Sequence, residues 1–494
     1  MIPYLFAVVI RWWRWVRRAD HRPARPWLVR PHLAALAQGD PTTLPTFVQE
    51  SIAARSYLTL LGPLDWGHFP ERPTSRLWPG PAPLPRAPFV AAYLLKLDKG
   101  LKSMGKLRAE LVEQPALVWL FGFPLVPSAA YRWGFDVERS LPTPRHFSRV
   151  LRTLERSQAS FLFQATVHLL DAELPAECHF GNEISLDTKH ILAWVRENNP
   201  KAKVAHRYDK TRQPRGDRDC KLGCKKRDNV PTHDGSDHAP TQEGMPASQA
   251  TVGEFYWGYA SGIVATKDKD FGEFVLAELT QTFDQSDQSY FHPLMAQVEE
   301  NLGRKPQYGA LDKAYDAFYV YEYFHNAGGF AAVPWSDRGP KKQFNADGLP
   351  LCGAGLAMPL RSKFIERSSC LVEHECARYA CPLVFPQRTG ASCPIDHDNW
   401  PKGCITTLPT SPGNRIRHEL DRTSEAYTNL YKQRSASERI NSQALDLGIE
   451  RPKLRNRCSI VNQDTLIYVL INLRALQRVR QLKAENAKAT TSDA

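Results

Sequence analysis

The chain has 494 residues, 42% of them hydrophobic, with 12 Trp, 17 Tyr and 22 Phe; that is too long for one compact core, so two to four structural units around one main domain are expected. A mean hydropathy of -0.43 argues against a membrane protein. Lys and Arg total 64 against 52 Asp and Glu, a net charge of +12 at a pI near 9.2, which favours a polyanionic partner such as nucleic acid without requiring one.

The opening apolar run, Tyr4 to Ile10, is too short to span a bilayer, and its positive charges follow it rather than precede it, so no export signal is read there. A bacterial cytoplasmic location beside the nucleoid is the expectation. In that setting the ten cysteines are reduced thiols or metal ligands rather than a disulfide framework. Residues 1–88 read as a basic, Trp- and Pro-rich extension and linker. Its first thirty residues hold seven Arg against one Asp, interleaved with Trp12, Trp13, Trp15 and Trp27, and Pro63 to Pro88 is proline-rich, which removes backbone donors and blocks regular elements.

Residues 89–175 show apolar spacing of helical period, as in FSRVLRTLERSQASFLFQATVHLL, with Thr143 before Pro144 as a helix start; a helical, DNA-binding domain is expected. Past Pro175 the pattern changes to short β-like runs, EISLDT, FYWGYASGIVAT, QYGALD and FAAVPW, which predict a mixed α/β core over 176–336. A basic loop, 201–250, interrupts that core; residues 201–228 carry eleven Lys and Arg against four Asp. Residues 337–415 are rich in Cys, Pro and Gly, lack helical or alternating periodicity, and read as an insertion. The core resumes over 416–482 with one helix over Glu425 to Leu447, ended by Gly448, and another over Thr465 to Leu482. Residues 483–494 read as a disordered tail.

Tyr431, Arg434 and Glu438 stand at i, i+3 and i+7, which a 3.6-residue period places on one helix face. A carboxylate that can hold Mg²⁺ beside a cation and a phenol that can take phosphate oxygens suits phosphodiester chemistry. The bland alternative is a solvated helix face. Two β-like segments upstream each deliver an aspartate near a strand end, Asp187 in EISLDTKH and Asp312 in YGALDKAYDAF. Glu183 and Asp316 are the rivals; Asp316 is expected inside the following helix, as a cap or surface residue.

The order strand Asp, strand Asp, helix Glu resembles the DDE transposases of bacterial insertion sequences, in the branch with a Y-x2-R-x3-E-x6-K motif. Tyr431, Arg434 and Glu438 match its first three elements, and Leu445 stands where the lysine is expected, so a lysine contact to DNA is absent or comes from elsewhere, with Lys453 as a candidate. Asp312-Lys313-Ala314-Tyr315 reproduces the D-x-[GA]-[YF] element around the second aspartate. The resemblance spans about 90 to 480 and implies an RNase H-like mixed sheet flanked by helices, with the first Asp on the central first strand and the second after the fourth. It further implies that Asp187, Asp312 and Glu438 hold two Mg²⁺ (or Mn²⁺) ions. On this reading the chain cuts and joins DNA as a homodimer, binding terminal inverted repeats and target DNA. Lys225, Lys226, Arg227 and Trp400 are further candidate DNA contacts, beside Tyr431 and Arg434.

Zinc has two candidate places. Cys370, Cys376, Cys381 and Cys393, with Cys404, His374 and His397 nearby, could supply tetrahedral ligands in the insertion. Cys220, Cys224, His233 and His238 could do so in the basic loop. Small hydrophobic clusters of reduced thiols are the alternative in both. Two other functions compete with transposition: a nuclease of the same fold that only hydrolyses, and a domesticated, non-catalytic DNA-binding protein.

Overall fold

The computed structural model describes residues 44–72, 84–227, 252–336, 340–367, 371–395, 397 and 399–492. Trp12, Trp13, Trp15, Trp27, Cys370, His233 and His238 lie outside them.

The expectation that all of 1–88 stands apart as extension and linker fails from Leu44 onward. Leu44, Val48, Tyr57, Leu61, Trp66 and Phe69 are buried in the main core, and α1 (Ile52–Leu61) is capped by Ser51, whose hydroxyl accepts from the Ala54 N–H at 3.2 Å. The aromatic side chains of the proline-rich run gain more by burial than its prolines cost in regular structure. Trp66 also donates its indole N–H to the Leu61 carbonyl at 2.9 Å. The expected boundary near 88 falls in the first turn of α2 (Ala87–Asp98), where Pro88 sits and its missing N–H has no partner to lose.

Helices α3 (Met104–Glu113), α4 (Pro115–Phe121), α5 (Pro144–Thr153) and α6 (Arg156–Glu173) follow. Thr143 caps α5 by accepting from the His146 N–H at 3.3 Å. The helical run through Leu170 is two helices rather than one. Leu154 and Glu155 are extended, and Glu155 with Gln158 forms a reciprocal capping box that restarts the chain as α6.

Nine described strands matter for function. β1 (Glu183–Leu192), β2 (Lys221–Arg227), β3 (Val252–Asp268), β4 (Gly272–Thr282), β5 (Tyr308–Leu311) and β6 (Phe330–Ala332) form one mixed sheet. Its order is β2-β3-β1-β5-β6, with β4 also pairing β3. β1 runs antiparallel to β3 and parallel to β5, and β5 runs parallel to β6. Glu273 to Glu278 of β4 are buried without alternation, the pattern of a strand covered on both faces. That unbroken run is why β4 was not legible as a strand by period. The covering helices include α7 (Phe291–Leu302), which packs on β3 and β4.

α8 (Phe318–Asn326) precedes β6. The insertion is more regular than its sequence: β7 (Leu360–Glu366), β8 (His374–Ala380) and β9 (Ile405–Pro409) make a three-stranded antiparallel sheet in the order β9-β8-β7. Its first strand is largely exposed and the other two are half-buried without alternation, so no apolar period marks them. The chain returns to the core through α9 (Pro412–Glu419), α10 (Glu425–Tyr431) and α11 (Ser435–Asp446). Asp316 is neither helical nor on the surface. It follows a 3-10 turn, is fully buried, and binds Arg417 of α9 at 2.7 Å.

The last helix, α12 (Arg457–Ser492), runs on α6 and β4. It continues through residues expected to be a disordered tail, because no Pro or Gly breaks it and LKAENAKA is rich in helix formers. Among the described residues no helix is long and apolar enough to cross a membrane.

Candidate active site

Asp187 lies at mid-strand in β1, paired with Ile263 of β3, rather than near a strand end. The site forms because the neighbouring strand stops short. β5 runs parallel beside β1 with Leu311 opposite Leu186, and it ends there, so Asp312 leaves the sheet next to Asp187. The Asp312 carboxylate accepts from the Lys313 N–H at 2.6 Å, capping the 3-10 turn Lys313–Tyr315.

Glu438 comes from α11, which packs on β1, β3 and β4. The helix expected over 425–447 is broken by a 3-10 turn at Lys432–Arg434, yet the three motif side chains still share a face. Arg434 donates to the Tyr431 hydroxyl at 3.4 Å and pairs with Glu438 at 3.4 Å. Tyr431 stacks on Tyr427 at 5.9 Å between centroids. Two contacts fix the helix on the sheet: the Ser437 N–H donates to Ser185 Oγ at 3.1 Å, and Gln433 donates to Glu183 at 2.7 Å. Glu183 is therefore engaged in holding the glutamate segment.

Asp187, Asp312 and Glu438 line one cavity of about 910 Å³, together with Asp287 and Asn441. Burial pushes the Asp187 carboxyl up to about 6, with the Asp312 charge adding to the rise; the Thr188 N–H, Arg434 and Asn441 oppose it. Burial and Asp312 likewise raise Asp287, against a hydrogen bond from Thr188 at 2.9 Å. Burial works against the Arg434 charge, but the Tyr431 hydroxyl with Asp312 and Asp187 holds its pKa above the ordinary arginine value.

Sequence reasoning missed Asp287 and Asn441. Asp287 sits in the polar stretch QSDQS, with no motif or period to mark it. Asn441 carried a signal in hindsight, since it stands three residues beyond Glu438 and so on the same side of α11.

Among the described residues no three His, Cys, Asp or Glu side chains are placed so as to hold a metal ion as they stand; Glu438 is turned to Arg434. The donor chemistry does suit a hard divalent cation. All four acids offer oxygen, two of them are raised by burial and by a neighbouring carboxylate, and the buried Asn441 Oδ1 has no partner. A cation there would offset the mutual repulsion of the acids.

Of the candidate DNA contacts, Lys225, Lys226 and Arg227 lie on β2, their side chains outside the described residues; Cys224 beside them lines the cavity. Trp400 is in a turn of the insertion, half-buried, and is not among the cavity's lining residues. Of the candidate zinc ligands in the insertion, Cys370 lies outside the described residues. Cys376 is buried within β8 and Cys381 follows that strand, which separates them by roughly 16 Å at the usual strand rise. Cys404 meets His397 at 3.6 Å, and its thiol is raised by burial and by the neighbouring Cys352, Cys381 and Cys393. In the basic loop, Cys220 is buried against Asp217. Searches against family models, curated proteins and solved structures give no match to this chain.

Proposed function

We propose that this chain is a DNA transposase of the DDE type, with an RNase H-like core and a metal-dependent phosphoryl-transfer site. The observation that carries this reading is the convergence of Asp187, Asp312 and Glu438, from two parallel neighbouring strands and a later helix, on one cavity. Support for the RNase H-like core comes from the connectivity. In chain order and leaving β2 aside, the strands lie 3-2-1-4-5, with the first three antiparallel and the last two parallel to the first.

Asp187, Asp312 and Glu438 would hold the divalent ions, with Asp287 close by. Bound there, Mg²⁺ or Mn²⁺ would lower the pKa of an attacking hydroxyl and stabilise the leaving oxygen of an in-line displacement. The protein's own contribution is placement and charge. Asn441 and the Thr188 N–H favour the ionised form of Asp187 against its burial, and Arg434 would balance the acids and, with Tyr431, take phosphate oxygens. Water and a DNA 3′-hydroxyl can serve as successive nucleophiles at such a site, which is what separates transposition from hydrolysis alone. Action as a homodimer on paired terminal inverted repeats belongs to the same proposal.

The test is excision and reinsertion of a marked element from a plasmid with Mg²⁺ and purified protein. Asp187→Asn, Asp312→Asn and Glu438→Gln should each abolish both steps while leaving DNA binding intact. Cleavage without strand transfer by the unaltered protein would leave a hydrolytic nuclease; retained cleavage in all three variants would remove the site assignment.

A further inference from the structure

Beyond the cavity, β1 leads into a surface of unusual composition. Among the described residues Trp194, Tyr208 and Phe255 are 48%, 50% and 41% exposed, three of the four large aromatic side chains left so open. Their segments meet at Trp257, whose carbonyl accepts from the Ala193 N–H at 3.0 Å. Tyr208 and Phe255 lie 6.1 Å apart, Trp257 donates its indole N–H to the Arg207 carbonyl at 2.7 Å, and a side chain at Gly216 would meet Val195 and the Trp194 carbonyl. The Arg455 guanidinium stands 4.7 Å from the Trp194 ring. The Arg457 N–H donates to Asp219 at 2.9 Å, joining the 450s loop to this surface.

This surface is also basic. Lys201, Lys203, Arg215, Arg218, Lys221 and Lys453 are exposed on the same and adjoining segments, against two exposed acids, Asp219 and Glu254. Apolar rings left open among cations fit neither a core nor a protein partner with a dry centre, in which charges are depleted. They fit an unpaired nucleic-acid strand, whose bases stack on aromatic faces and whose phosphates take the cations. The place fits as well. Leu192 ends β1 and is hydrogen-bonded to Glu450 at 2.8 Å, and Leu192, Cys224, Glu254 and Arg451 line the same cavity as Asp187. Five strand steps separate Asp187 from Leu192, roughly 17 Å at 3.3 Å per residue, or about five nucleotides at duplex spacing.

We infer that Trp194, Tyr208 and Phe255, with the cations around them, bind an unpaired DNA strand adjoining the phosphate held at Asp187. This rests on the DNA reading of the cavity. The test uses full-length protein with Ca²⁺ in place of Mg²⁺ and a fluorescein-labelled duplex, either blunt or carrying a six-nucleotide single-stranded overhang. The unaltered chain should prefer the overhang. Trp194→Ala and the double variant Tyr208→Ala/Phe255→Ala should each lose about tenfold in affinity for it with the blunt duplex unaffected, and Trp194→Phe should keep most of the preference. Arg218→Ala/Lys221→Ala should weaken both DNAs and lower the salt slope by about two. Equal overhang binding by the aromatic variants and the unaltered chain would overturn the inference while leaving the cavity reading standing. Failure of the unaltered chain to bind either DNA would overturn both.

Discussion

Asn441 donates its side-chain N–H to Asp187 Oδ2 at 3.0 Å, so the helix that delivers Glu438 is tied directly to the aspartate on the central strand. The contact is the structural expression of three elements meeting: helix, central strand, and the cavity between them. Removing it frees one carboxylate and loosens the other's support. Asn441→Ala should reduce Mg²⁺-dependent DNA cleavage about tenfold, as expected for loss of a partner that orients a metal-binding group. It should also raise the Mg²⁺ concentration needed for half-maximal rate, most of all near pH 6, because the lost hydrogen bond favours the ionised Asp187. An unchanged rate and unchanged metal dependence at pH 6 and 8 would remove Asn441 from the site.

The Asp187 carboxyl, at about 6 against an ordinary 3.8, makes the metal-free protein sensitive to pH in a defined direction. A raised acid holds its proton more tightly in the folded chain than in the unfolded one. Its contribution to stability is therefore complete below about pH 3.8 and is lost as pH rises through about 6. Since the cavity is open to water, a loss on the order of 2 kcal/mol is expected. Asp187→Asn removes that loss, so in EDTA the variant should melt at a higher temperature than the unaltered chain at pH 7.5 and approach it at pH 4.5. Saturating Mg²⁺ should reverse the order at pH 7.5. A variant less stable in EDTA at both pH values would contradict the burial argument.

Asp287 extends the set of acids. Thr188, next to Asp187 on the strand, donates to it at 2.9 Å, so the two acids are held by adjacent residues. If Asp287 shares the burden of a cation, Asp287→Asn should keep the fold, weaken Mg²⁺ binding, and slow cleavage more at low than at saturating Mg²⁺. Thr188→Val leaves Asp287 without its donor and should destabilise the chain by about 1–2 kcal/mol in urea unfolding. Cleavage kinetics of Asp287→Asn that match the unaltered chain across the Mg²⁺ range would leave Asp287 a structural acid.

What the sequence disclosed and what it hid follow from physical causes. The strands beside Asp187 and Asp312 stood out because EISLDT alternates polar and apolar residues and YGAL is a short apolar run ended by a polar one. Tyr431, Arg434 and Glu438 stood out because a face repeats along a helix, and one 3-10 turn did not break that repeat. β4 was invisible because a strand covered on both faces has no alternation. The sheet of the insertion was invisible for a different reason, since its strands are exposed or half-buried with no apolar side that alternates. Asp287 and the Trp194 surface depend on which loops meet in space, and local spacing carries no record of that. Residues 44–72 were misread because proline content was given more weight than the burial available to Trp66 and Phe69.

Asp316, the acid that competes with Asp312 in sequence, is spent on structure, and its replacement should show it. Its carboxylate accepts from Arg417 at 2.7 and 2.8 Å, from the Ser336 N–H and hydroxyl at 2.8 Å each, and from Tyr321 at 2.7 Å. Arg417 in turn lies over Trp335 at 4.3 Å. The network ties the 3-10 turn after β5 to α9, where the chain re-enters the core from the insertion. Burial raises the Asp316 carboxyl, but Arg417, Ser336 and Tyr321 outweigh it and hold it below the ordinary range. That stability is present above the unfolded carboxyl pKa and is lost as pH falls through the lowered one. Asp316→Ala leaves Arg417 buried without its partner and should cost about 3–5 kcal/mol, whereas Asp316→Leu/Arg417→Met should cost much less. Urea unfolding of the two variants measures both. Equal losses, or a cleavage defect in the double variant when it is fully folded, would return Asp316 to contention as the second catalytic acid.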